Sequence, residues 1–143
     1  MAPLSEDEAE LWAAWTAASE ALAQVSADVA EGTGLSEPDV IVLTRLHHAE
    51  RKRLRQSDLA AAAGWHRSRL SHHLKRMEER GLVNRSGVDG GVEVRLTTMG
   101  RAAAVRALPA QADAVRRHLV DRLPARDRQR LLTLLRRLTA PGS

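Results

Sequence analysis

The sequence predicts a mainly α-helical domain that carries one small β-hairpin. Three observations predict it. Apolar residues recur at spacings of three and four over most of the chain. The period switches to two only around residues 82–96. Gly, Pro, Ser or Thr stands where one periodic stretch gives way to the next. A length of 143 residues suits one domain.

Residues 5–31 read as one long helix, because Leu11, Trp15, Ala18, Leu22, Val25 and Val29 form a single apolar stripe. Ser5 and Glu8 have the spacing of a capping box, and Gly32-Thr33-Gly34 ends the run. A second helix starts at Ser36 as cap, with Pro38 and Asp39 in its first turn and Val40, Leu43 and His47 on one face. It runs out in the polar stretch 48–53. A short Ala-rich helix follows, capped by Ser57 and stopped at Gly64. The next helix spans Arg67 to Arg80, with Leu70, Leu74 and Met77 as its apolar face and Gly81 beyond its end. Residues 82–86 and 92–96 alternate as strands, and 87–91 supply the turn between them. Thr97-Thr98 can cap a helix from Met99, striped by Val105, Leu108, Ala112, Val115 and Leu119; Pro109 should kink or interrupt it. Pro124 opens a last helix with Leu131, Leu134, Leu135 and Leu138 on one face, and the tail 140–143 should fray.

Composition removes several function classes. The chain has no Cys, which excludes disulfides, Cys-based zinc sites and thiol redox chemistry. No apolar run approaches the roughly 18–20 residues of a membrane span, and the acidic start lacks the apolar segment of a signal peptide. A cytoplasmic protein without a membrane partner is the expectation. With no Phe, no Tyr and three Trp, stacking on single-stranded nucleic acid has little to work with. Charge is segregated. Residues 1–44 hold nine carboxylates and no Lys or Arg, residues 45–85 hold eleven Lys or Arg against four carboxylates, and residues 86–143 hold eleven against five. The basic portion suits a polyanion; the bland alternative is solvated helix faces.

A short helix, a tight Gly turn, a second helix and a two-stranded hairpin, in that order, make the pattern of a winged helix-turn-helix. A helix fits the major groove of double-stranded DNA, and the helix before it braces the backbone. Opposite Leu70, Leu74 and Met77 stand Arg67, Ser68, Ser71, His72 and Lys75. Arg67, Ser68, Arg69, Ser71 and His72 occupy the N-terminal half, where base edges are met, and are the base-reading candidates. Lys75, Arg76 and Arg85 are phosphate candidates, with Ser57 at the preceding helix and Arg95 on the hairpin.

The segments Ser57-Asp58-Leu59-Ala60, Arg67-Ser68-Arg69-Leu70-Ser71, Arg76-Met77-Glu78-Glu79-Arg80-Gly81-Leu82-Val83 and Leu96-Thr97-Thr98-Met99-Gly100 together resemble the MarR family of bacterial transcription regulators. The resemblance covers residues 35–100 in motif detail and nearly the whole chain in helix placement. It implies a homodimer. Residues 1–34 and 98–143 would then be dimerisation helices around a winged helix-turn-helix at 35–97, in one domain over 1–143. It also implies a repressor that binds a pseudo-palindromic operator and is relieved by a small apolar or anionic effector. Candidate effector-lining residues are Trp12, Trp15, Leu43 and His47, for which the competing reading is ordinary core.

Two positions depart from the family pattern. The hairpin tip, Gly87-Val88-Asp89-Gly90-Gly91, carries no basic residue where the family commonly has an Arg, and Arg85 and Arg95 lie nearer the hairpin base. His72 and His73 replace residues of other kinds; His72 should face DNA, and His73 should be half-buried against the domain. A metal site is not expected. The six His include the adjacent pairs His47-His48 and His72-His73, which point about 100° apart on a helix and cannot chelate together. No cofactor and no enzyme activity are expected: Glu78-Glu79 reads as solvated helix surface, and the 87–91 turn lacks the Lys of a P-loop. A different class stays open on the same scaffold, a non-specific architectural DNA binder or a protein-interaction module.

Overall fold

The computed structural model describes residues 1–142; Ser143, the end of the tail expected to fray, lies outside the described residues. Helix α1 spans Glu6–Thr33, two residues beyond the expected end. Its capping box forms, with the Ser5 hydroxyl accepting from the Glu8 N–H at 3.2 Å and the Glu8 carboxylate accepting from the Ser5 N–H at 2.8 Å. Helix α2 covers Glu37–His48 and repeats the device with Ser36 and Asp39.

The polar stretch after α2 is more ordered than its composition suggested. A 3₁₀ turn at Glu50–Lys52 puts Arg51 and Lys52 at φ of 55° and 58°. The Lys52 ammonium donates to the His47 carbonyl at 2.5 Å, which closes the end of α2. Strand β1, Arg53–Arg55, follows at once and pairs antiparallel with a strand some 40 residues downstream. That pairing holds the chain extended up to Arg55, so α3 begins at Gln56 and spans Gln56–Ala63. Ser57 therefore lies inside α3 and caps nothing, contrary to expectation: the N-cap position is Arg55, which makes no side-chain cap bond.

Gly64, at φ +69°, turns the chain between α3 and α4 (Arg67–Glu79) in a backbone conformation that suits glycine. Strands β2 (Val83–Val88) and β3 (Gly91–Leu96) form the hairpin, and the sheet order is β1-β3-β2. The expected five-residue turn shrinks to Asp89-Gly90, because Gly87 pairs with Val92 and Val88 with Gly91. An Asp-Gly step is a strong two-residue hairpin signal. Thr97 joins the hairpin exit to its entry. Its hydroxyl donates to the Gly81 carbonyl at 2.6 Å and accepts from the Gly100 N–H at 2.9 Å. Gly100 itself leaves no room, since a Cβ there would stand 2.0 Å from the Leu82 carbonyl oxygen.

Helix α5 runs Thr98–His118 with Pro109 inside it, so the proline does not interrupt the helix. Both Pro109 and Val105, whose carbonyl loses its partner, are on the exposed side, where solvent can take that carbonyl. A 3₁₀ turn at Val120–Arg122 leads to α6, Ala125–Thr139, whose N-cap is Pro124.

The core gathers under the sheet and between α2, α3 and α4. Val42, Leu43, Leu46, Leu59, Leu70, Leu74, Met77, Val83 and Val94 are all fully buried. The side of α5 that joins this core is alanine, namely Ala103, Ala104, Ala107 and Ala114, which lets α1 and α2 approach closely. Asp28 ties α1 to α5, accepting from His118 Nε2 at 2.7 Å and from Arg117 at 2.8 Å. The outer apolar residues are left bare: Leu11 is 71% exposed, Trp12 60% and Leu138 65%. No residue of α6 is buried. Among the described residues no helix is long and apolar enough to cross a membrane.

Candidate nucleic-acid interface

Helix α4 has an electropositive, outward-facing N-terminal half. It alone of the four N-terminal helices has no acid in its first turn; α1, α2 and α3 each have at least one. The positive end of its dipole is therefore left uncompensated, beside Arg67 and Arg69. Leu70, Leu74 and Met77 anchor the opposite face at zero exposure, and this rotates Arg67, Ser68, Arg69, His72 and Lys75 outward. The cap is His66, which sequence reasoning passed over: its Nδ1 accepts from the Ser68 N–H at 3.2 Å and lies 2.8 Å from the Ser68 hydroxyl. The Arg69 guanidinium stacks on Trp65, 4.4 Å from the ring centroid, so its direction is set before any ligand arrives.

The other candidates divide by what already holds them. Ser71 is half-buried, and its hydroxyl accepts from Arg85 at 3.3 Å. Arg85 also donates through Nε to Glu78 at 2.7 Å, and its backbone N–H reaches the same carboxylate. This residue pins the hairpin to α4, and its charge is matched by Glu78. Arg95 and Arg53 share the Glu93 carboxylate, at 3.3 and 3.6 Å. Lys75 and Ser57 are exposed, as is Arg76. Both Arg85 and Arg95 lie toward the hairpin base, opposite Val94 and Asn84.

Beneath α4 lies a buried polar cluster that the sequence reading assigned only in pieces. Asp39, 1% exposed, accepts from His73 Nε2 at 2.9 Å and from Arg80 at 2.8 Å, and it keeps its capping bond to the Ser36 N–H. Burial pushes the Asp39 carboxyl up, but the bonds from Arg80 and Ser36 outweigh it and hold the group below the usual carboxylate range. His73 is more buried than the half expected, at 7% exposure. Burial lowers its pKa, and Asp39 only partly offsets that. Arg76 donates to His73 Nδ1 at 3.2 Å. The ring is thus neutral, with its proton on Nε2. The cluster locks the start of α2 to the middle and end of α4. The sequence signals for it were Asp39 in the first turn of α2 and a partly buried His73.

The four residues expected to line one effector cleft do not meet. Trp12 and Trp15 line a groove with Leu4, Leu11 and Leu138, whereas Leu43 is fully buried in the core and His47 lies at the far end of α2. The reason is rotation: the α2 face that carries Leu43 turns into the helix-turn-helix core, away from the exposed start of α1. A separate cleft of about 160 Å³ opens between α1, α2 and α5, among Val25, Val29, Val40, Ile41 and Val115. Glu37 also lines it and accepts from the Ser26 hydroxyl at 3.0 Å. No cluster of three or more potential metal ligands occurs among the described residues.

Comparison with known proteins gives a consistent result. The MarR family model matches residues 35–87. AbsC, a MarR family transcriptional regulator from Streptomyces coelicolor, is 31% identical over 99% of this chain and 95% of its own, with a TM-score of 0.86. Sco3205, a MarR family transcriptional regulator of the same organism solved in complex with DNA, is 27% identical over 100% and 96%, with a TM-score of 0.89. The Mycobacterium tuberculosis MarR family protein Rv2887, also solved with DNA, is 25% identical over 98% and 100%, with a TM-score of 0.65. A search of curated protein sequences finds no match.

Proposed function

The chain belongs to the MarR family of transcriptional regulators, and from that premise we propose that it binds double-stranded DNA sequence-specifically as a homodimer and represses transcription. The observation that carries the reading is the N-terminal half of α4: an acid-free first turn with Arg67, Ser68, Arg69 and His72 turned outward from a fully buried anchor. Arg67 and Arg69 suit guanine O6 and N7, and His72 and Ser68 are adaptable partners. Lys75 and Arg76 suit phosphates. Ser71, Arg85 and Arg95, already engaged within the protein, act by setting the pose of α4 and the hairpin. Sco3205 and Rv2887, similar along their whole length, were solved with DNA, which supports the same partner here.

The homodimer rests on the bare apolar residues of α1 and α6, which need a cover that the chain itself does not supply. Two α4 helices related by a two-fold axis would meet a pseudo-palindrome with half-sites about one helical turn apart. Such a regulator acts on the chromosome, in the cytoplasm. The cleft between α1, α2 and α5 is the place for an effector. Its Glu37 favours a neutral or cationic apolar molecule over an anion.

Fluorescence anisotropy with duplex from the region upstream of its own gene, beside a shuffled duplex, at two salt concentrations, tests the reading. Tight binding to the first alone, with a steep salt slope, is expected. Equal weak binding to both would favour an architectural role, and no binding at low salt would defeat the proposal.

A further inference from the structure

The hairpin turn, Val88-Asp89-Gly90-Gly91, has no cation of its own and one acid. A guanidinium nonetheless sits on it. Arg55, at the end of β1, reaches across β3 and donates from Nη1 to the Asp89 carbonyl at 2.8 Å. The same Nη1 lies against the Gly90-Gly91 backbone, 3.8 and 3.7 Å from where a Cβ on either residue would stand. The register accounts for this reach: Arg55 pairs with Glu93, two residues from the turn, and the turn is only two residues long.

The charges of the sheet single out this residue. Arg53 and Arg95 are both paired with Glu93, and Arg85 with Glu78. Arg55 forms no ion pair among the described residues and is exposed. Its bond to the turn goes to a neutral carbonyl, which uses one of five N–H donors and supplies no counter-charge. Of the four arginines on this sheet it is the one that has no carboxylate within ion-pair distance among the described residues.

We propose that Arg55 supplies the wing with its DNA contact, a guanidinium lent by β1 that grips the sugar–phosphate backbone flanking each half-site. The bond to Asp89 fixes the fork at the tip, so little rotamer freedom is lost on binding. This inference rests on the DNA-binding reading above.

Anisotropy on full-length Arg55→Ala, Arg55→Lys and Arg67→Ala proteins, against the upstream and shuffled duplexes across a salt series, tests it. A backbone contact is blind to sequence. Arg55→Ala should weaken binding to both duplexes by about fivefold and lower the salt slope by about 2 for a dimer with two such contacts. Arg55→Lys should restore the slope, and hydroxyl-radical protection at the outer edges of the footprint should disappear only in Arg55→Ala. Arg67→Ala should instead erode the preference for the upstream duplex. A merely structural brace would change melting temperature but leave the slope alone. An Arg55→Ala protein with wild-type slope and footprint overturns the inference while leaving the DNA-binding reading to stand on Arg67. Wild-type protein that binds neither duplex at low salt overturns both.

Discussion

Asp39 shows how one side chain can serve two masters. It caps α2 through Ser36 and, from the same buried position, holds His73 of α4 and Arg80 at the end of that helix. Asp39→Ala removes three charge-assisted bonds together, the cap bond from Ser36 among them, and we expect a loss of about 2–3 kcal/mol in urea unfolding. His73 carries a pH signature. Its folded pKa lies below the ordinary histidine value because burial disfavours the charged ring. The unfolded chain therefore binds more protons than the native one as pH falls through about 6.5, and stability drops in that window. His47 is shifted the same way, by burial and by Lys52 and His48, and adds to the effect. Melting temperature should fall between pH 7.5 and 5.5, and His73→Gln should flatten part of that fall. Asp39 has the opposite sense of shift, so its share of stability is lost only in more acidic solution. At the interface, Arg67→Ala or His72→Ala should cost about 1–3 kcal/mol at a preferred site and relax sequence preference, whereas a phosphate-directed Lys75→Ala should weaken all sequences alike. Parallel titrations of specific and shuffled duplex separate the two.

Helix α4 was legible in the sequence because its signals are local. The 4-and-3 spacing of Leu70, Leu74 and Met77 fixes one face, and that face is buried without exception. The capping box at Ser5 and the Ser36 cap are likewise spelled within four residues. What escaped notice depends on distant partners. Strand β1 is three residues long, too short for any periodicity, and exists because β3 pairs with it. The same pairing moved the start of α3 to Gln56 and deprived Ser57 of its cap role. Within the candidate site, the identity of the outward residues could be read, but not which of them are already occupied. Glu78 engages Arg85 across a gap that spacing does not reveal, and Glu93 engages Arg53 of β1 as well as its near neighbour Arg95. Packing at the hairpin exit is equally tight. Gly100→Ala would drive a Cβ into the Leu82 carbonyl, and about 3 kcal/mol of destabilisation is expected by thermal or urea melting.

At the scale of the molecule, charge and apolarity are segregated along the chain to opposite purposes. The acid-rich first 44 residues and the Leu-rich last helix carry most of the bare apolar residues, and the basic middle carries α4, the helix proposed to face DNA. Cover for Leu11, Trp12, Trp15 and Leu138 is proposed to come from a second copy. Leu138→Asp with Trp12→Glu should then yield monomers by analytical ultracentrifugation, keep the helix-turn-helix folded, and weaken operator binding by more than tenfold. We propose that the N-terminal half of α4 reads DNA sequence, twice, about a two-fold axis. Selection of bound duplexes from a random-sequence library tests that claim most directly, because it assumes no operator. Enrichment of a pseudo-palindrome with half-sites about 10 base pairs apart, centre to centre, is expected, with loss of that enrichment when Arg67→Ala and His72→Ala are combined. A library that emerges unenriched from wild-type protein, while binding remains strong, would contradict it.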